Sequence, residues 1–262
     1  MKRFFWACVL GIGAMQSAHA ADFDACVAPT ERLNGHVVRV EVNGVLVLDD
    51  GRAAVLEGIQ FPRGAADHAP DALAHQAVAA LSNLARDHDV TMGLRPPEED
   101  RYARLRAQVL ANGGKEPWLQ IAMLRQGLAR VAPMPARGEC TDLFYAAERE
   151  ARGAKRGLWA MAAYAIRSPD RIPPADTDIF QIVEGRVQNA DVKAGRAYLN
   201  FGTDGKTDFT VTISPDDMPA FRAANVDPRS YAGKTIRVRG MVDQMNGPEI
   251  EIGSPQAIEI LP

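Results

Sequence analysis

Positive charge is not in surplus in this chain: 30 Lys and Arg face 33 Asp and Glu, a formal balance of −3 over 262 residues. A protein that coats nucleic acid through a general field carries the opposite sign, so any phosphate contact here has to be local. Cysteine is scarce at three residues and histidine at five. No stretch approaches the roughly 20 consecutive apolar residues a membrane-spanning helix needs. His36, His68, His75 and His88 offer no pair at the i, i+3 or i, i+4 spacing of a zinc-binding helix, and Gly-x-Ser-x-Gly is absent. Zinc and serine-nucleophile chemistry therefore have no foothold.

The first twenty residues place Lys2 and Arg3 before an apolar run and end in Ala18-His19-Ala20. This is the pattern of a secretory leader cut after Ala20, so the chain reads as exported, periplasmic or secreted. Without Lys2 and Arg3 the basic residues fall to 28 against 33 acids, and Cys8 departs with the leader. Cys26 and Cys140 remain. In an oxidising compartment an even count favours one bridge, and this one would close a loop of more than a hundred residues. Such a closure contributes about 4–5 kcal/mol in the chain-entropy model.

A break at 167–178, "RSPDRIPPADTD", interrupts all periodicity with prolines and acids and reads as a linker or strap. It divides a domain at 21–166 from one at 179–262. The first opens with three alternating strands joined by Asn43-Gly44 and Asp50-Gly51 turns. A helix follows with Leu73, Ala77, Ala80, Leu81 and Leu84 on one face. Two strands come next, near 89–94 and 104–110. A second helix starts at Pro117 and buries Trp118, Ile121 and Leu124, and a third spans about 141–153. The second domain shows five strands near 180–188, 196–202, 208–213, 235–242 and 249–260. A short helix lies between its third and fourth strands, and an Asn246-Gly247 turn between its last two. The expected fold class is mainly β with helices: two small five-stranded barrels of the oligonucleotide/oligosaccharide-binding kind, with no sequence repeat linking them.

Four segments in order resemble the staphylococcal nuclease family over about residues 34–159. They are "VVRVEVNGVLVLDDGRAAVLEGIQFP", "DRYARLRAQV", "WLQIAMLRQGLARV" and "EREARGAKRGLW". The resemblance implies a nuclease-type barrel, in whose active members two carboxylates hold calcium, a glutamate activates water and two arginines hold phosphate. Carried over by position, the first acid's turn reads Val42-Asn43-Gly44-Val45, with Gly44 where a carboxylate belongs. The next segment places Val55 at an arginine, Gln60 at the second acid and Arg63 at the glutamate. Of the phosphate-holding pair, Arg104 is retained.

Calcium takes about six to eight oxygens, carboxylates among them, and Gln60 offers only a neutral carbonyl. A cation at position 63 cannot accept water's proton. The expectation is a degenerate nuclease that needs no cofactor and no metal, with Arg104 either a leftover phosphate contact or ion-paired to Glu57 or another acid. Asp49 and Asp50 read as turn residues. The alternative is an active phosphodiesterase with a metal site rebuilt from Glu57, Asp67, Glu98, Glu99 or Asp100.

In the second domain, alternation places Arg196 and Tyr198 on one strand's outer face and Arg237 and Arg239 on another's. If the two strands are neighbours, these four form a basic and aromatic surface for single-stranded nucleic acid. A solvated wall is the plainer reading. On the third helix, Glu148, Arg149, Glu150 and Arg152 read as a salt-bridged solvent face. The partners this leaves are single-stranded nucleic acid, an envelope polymer or a protein. A structural envelope component that touches no polymer remains a third class.

Overall fold

The computed structural model describes residues 22–26, 31–113, 116–133, 140–204 and 207–262. The leader at 1–20 lies outside the described residues. None of the described helices is long and apolar enough to cross a membrane.

The first unit is a closed barrel of β1 (Glu31–Val40), β2 (Leu46–Leu48), β3 (Ala53–Leu56), β5 (Asp89–Glu99) and β6 (Leu105–Ala111), in the order β1-β2-β3-β6-β5. Alternation along the strands sends Val37, Leu46, Leu48, Ala54, Val90, Met92, Leu94, Ala107 and Val109 inward, all essentially without exposure. Helix α1 (Asp71–Ala85) buries Leu73, Ala77, Leu81 and Ala85 at helical spacing. Its large aliphatics each contribute about 1.5–3 kcal/mol by burial. Helix α2 (Leu119–Arg125) is tied to the barrel by buried Gln120, whose Nε2 donates to Ala107 O at 2.8 Å while its Oε1 accepts from Val109 N at 3.2 Å. Helix α3 (Thr141–Gly153) packs on α2. Phe23, in the helical turn at 22–26, meets Trp118 edge-on with ring centres 5.5 Å apart.

Two strands too short for periodicity to show, β4 (Ile59–Gln60) and β7 (Arg130–Val131), form a separate ladder outside the barrel, with Ile59 opposite Val131 and Gln60 opposite Arg130.

The second unit is barrel-like. Strand β8 (Phe180–Arg186) runs through a two-residue bend into β9 (Asn189–Lys193), followed by β10 (Arg196–Asn200), β11 (Thr210–Ile213), helix α4 (Met218–Ala223), β12 (Thr235–Gln244), β13 (Pro248–Glu251) and β14 (Ile258–Ile260). The sheet runs β14-β12-β13-β11-β10-β9, and β8 pairs with β12. The continuous β8–β9 stretch thus touches both ends of the curve. Its core includes Val183, Leu199, Phe209, Val211, Phe221, Ile236, Val238 and Ile250.

Strand β9 lies beyond the five strands expected here, and the last expected strand divides at a turn over 255–257 into β13 and β14. The condition for a shared Arg196, Tyr198, Arg237 and Arg239 surface is not met, because β13 and β11 lie between β10 and β12. The 167–178 segment is a strap. Ile172 and Asp176 are buried, and Arg167 Nε donates to Asp176 Oδ2 at 3.0 Å.

Candidate functional site

A cavity of about 290 Å³ opens at one end of the first barrel. Its walls come from the β1–β2 turn (Asn43), the end of β3 and the turn after it (Val55 to Gly58), β4 (Ile59, Gln60), Phe61, the β5–β6 turn (Asp100, Arg104), Arg106 on β6, and Ala132. Local backbone chemistry sets this shape. Asn43 adopts φ 58°, a conformation asparagine tolerates in turns, and Gly44 follows at φ 75°. A Cβ on Gly44 would stand 2.6 Å from the Phe61 ring, so that ring occupies the space a side chain in the turn would need.

Two carboxylates line the cavity, and each is matched by a guanidinium. Arg104 Nη2 and Nε donate to Asp100 Oδ2 at 2.6 and 2.8 Å, while Asp100 Oδ1 accepts from the Tyr102 and Arg104 amides at 2.8 and 3.1 Å. Burial opposes the Asp100 charge, but hydrogen bonds from the Arg104 side chain and the two amides outweigh it and hold its pKa below the ordinary aspartate value. Arg106 Nη2 donates to Glu57 Oε1 at 3.1 Å, with Glu57 nearly buried. Arg104 therefore pairs with another acid on the barrel, Asp100, and Glu57 goes to Arg106.

The remaining predicted positions fall as follows. Val55 and Gln60 line the cavity, and Gln60 Nε2 donates to Phe61 O at 3.1 Å. Gly44 is buried against Phe61. Arg63 is not among the lining residues: its Nε donates to Asp67 Oδ1 at 2.9 Å and its Nη2 to Asp178 O at 3.1 Å, so its charge is turned toward the strap. Of the alternative acids, Glu57 and Asp100 reach the cavity, whereas Asp67, Glu98 and Glu99 do not line it.

The donor set does not fit calcium. Calcium takes about six to eight oxygens with carboxylates among them, and the lining supplies only the carboxylates of Glu57 and Asp100, each already serving an arginine. Among the described residues no group of three or more His, Cys, Asp or Glu is placed to hold a metal ion.

The four second-domain residues do not share a face. Arg196 pairs with Glu251, and Tyr198 is half-buried opposite Asp191 and Thr212. Arg237 Nη2 donates to Glu184 Oε2 at 2.6 Å. Arg239 is fully buried against the first unit: its Nη1 lies 3.0 Å from both Glu148 oxygens and from Val131 O, its Nη2 donates to Glu259 Oε1 at 2.7 Å, and its guanidinium sits 4.4 Å above the Tyr145 ring. Burial works against this charge, but attraction to Glu148, Tyr145 and Glu259 outweighs it and keeps the pKa above the usual guanidinium value. Arg239 is thus a structural contact between the units and not part of an exposed ligand surface.

Glu148 is correspondingly buried and not a member of a solvent face. The signal lay in α3 itself, where Glu148 is four residues after Phe144 and three before Ala151, both buried. A second buried arginine, Arg130, donates from Nη1 to Phe180 O at 2.7 Å. Its guanidinium lies 4.8 Å from the Tyr164 ring centre and 5.0 Å from that of Phe180, and burial pushes its pKa down to about 10.

Cys26 and Cys140 are both buried in the first core.

Residues 54–161 match the family model described as staphylococcal nuclease homologue. With the closed five-strand barrel, this identifies the first unit as a staphylococcal-nuclease-like domain of the oligonucleotide/oligosaccharide-binding fold. No curated protein matches the chain.

Proposed function

We propose that the chain is an exported nuclease-like protein whose barrel cavity does not hydrolyse phosphodiesters and serves instead as part of a binding module, for single-stranded nucleic acid or another envelope ligand. The reading is carried by the pairing of Glu57 with Arg106 and of Asp100 with Arg104. A hydrolytic centre of this family needs carboxylates free to hold a cation and a base free to take a proton from water. With both acids committed to guanidinium groups, neither role has an occupant.

The test is cleavage of end-labelled single-stranded DNA and RNA by the leader-free chain, with calcium and with a chelator. The expected result is no cleavage in either. Binding of the same oligonucleotides across a salt series reads the second half of the proposal. Phosphate contacts give an affinity falling with a log–log slope of about 0.7 per contact. A ligand-free result at every salt concentration would leave a polymer-independent envelope role.

An active phosphodiesterase is the competing reading, favoured by one observation: Glu57 and Asp100 share the cavity with Arg104 and Arg106. Chelator-sensitive cleavage that Asp100→Asn abolishes would establish it in place of the first.

Export and the bridge have their own readouts. The protein recovered from its native compartment is expected to begin at Ala21. Alkylation without reductant is expected to leave Cys26 and Cys140 unmodified and to add two groups after reduction.

A further inference from the structure

The β4–β7 ladder is two residues long on each strand, too short to hold itself in place, yet Ile59, Gln60 and the adjoining Ala132 form one wall of the cavity. Its inner edge is closed by pairing, with Ala132 N donating to Gly58 O at 2.9 Å. Its outer edge is closed by side chains. Val131 N donates to Glu148 Oε1 at 2.8 Å, and Val131 O accepts from Arg239 Nη1 at 3.0 Å. The Glu148–Arg239 pair therefore offers one acceptor and one donor to β7, as a neighbouring strand would. Glu148 belongs to α3 of the first unit, and Arg239 to β12 of the second. The other residue of β7 is also tied to the second unit, because Arg130 Nη1 donates to Phe180 O at the start of β8.

We propose that the second barrel is a clamp that sets one wall of the cavity: Arg239 and the Phe180 carbonyl fix β7, β7 fixes β4, and the cavity keeps its shape only while the two units are docked. The coupling is reciprocal. Whatever binds against Gln60 and Ala132 tightens the docking, and whatever loosens the docking weakens binding in the cavity. None of this depends on whether the cavity hydrolyses or only binds.

Amide hydrogen exchange on the full chain tests the clamp directly. In Arg239→Met, segments 57–62 and 128–133 are expected to exchange at least about a hundredfold faster, with β5 and β6 unchanged. Wild-type protection in 57–62 and 128–133, or an equal acceleration through the whole first barrel, would overturn the proposal. Should Arg239→Met fail to fold, the wild-type chain in sub-denaturing urea answers the same question. Strands β12, β7 and β4 are expected to lose protection together, at one urea concentration and before β5 and β6. Opening of β12 while β4 and β7 stay protected would contradict the clamp.

Discussion

The barrel mouth and the seam between the two units both hold arginine–carboxylate pairs, but in opposite settings. At the mouth, Arg104 and Asp100 are four residues apart on one turn and keep partial contact with solvent, at 31% and 19% side-chain exposure. At the seam, Arg239 and Glu148 come from different units and are both fully buried. A pair of the first kind neutralises a site at little gain in stability. One of the second kind is costly to break, because removing either partner strands a charge away from water. The same chemistry thus balances charge in one region and fastens the other.

The largest effect is expected at the seam. Arg239→Met should lower unfolding free energy by about 3–5 kcal/mol, read from urea midpoints. Adding Glu148→Leu to Arg239→Met should recover part of that loss, since the fully buried carboxylate is then no longer left without its guanidinium. If the double variant is no more stable than the single one, the cost lies in packing and not in charge.

Next comes Gly44→Ala at the mouth, expected to cost about 2 kcal/mol because a left-handed residue gains a Cβ and the Phe61 ring must move. Exposing the arginines sharpens the contrast further. Glu57→Gln with Asp100→Asn leaves Arg106 and Arg104 uncompensated and should tighten single-stranded oligonucleotide binding about tenfold at low salt, with a steeper salt dependence than wild type.

The smallest effect belongs to His36, at the exposed edge of the first barrel. Its Nδ1 lies 2.9 Å from Asp89 Oδ1, and this hydrogen bond, with the charges of Asp89, Asp49 and Asp87, raises its pKa above 6.5. A histidine whose folded pKa is raised adds stability that is fully present below the unfolded value and is lost as pH rises through the folded one. The stability gap between wild type and His36→Gln should therefore be widest in mild acid and close above neutrality.

What the sequence made legible follows from how local each signal is. The first barrel's hairpins and helices rest on period-2 and period-3.6 patterns, and they stand where alternation and turn residues put them. Strands β4 and β7 have no period to read, and β9, "NADVK", has no clear apolar face. On β12 the alternation was right: Ile236 and Val238 are buried in the core while Arg237 and Arg239 take the other face. What alternation cannot carry is that α3 of the other unit covers that face. The same limit applies at the mouth. Arg63 occupies the right sequence position for the site but turns to Asp67, four residues on, and Arg106, two residues past Arg104, reaches the cavity from β6.

Under the proposed function, the mouth of the first barrel does not hold a divalent cation. Calorimetric titration of calcium into the leader-free chain tests it most directly. No saturable heat is expected up to millimolar calcium. A one-site isotherm that disappears in Glu57→Gln with Asp100→Asn would contradict it.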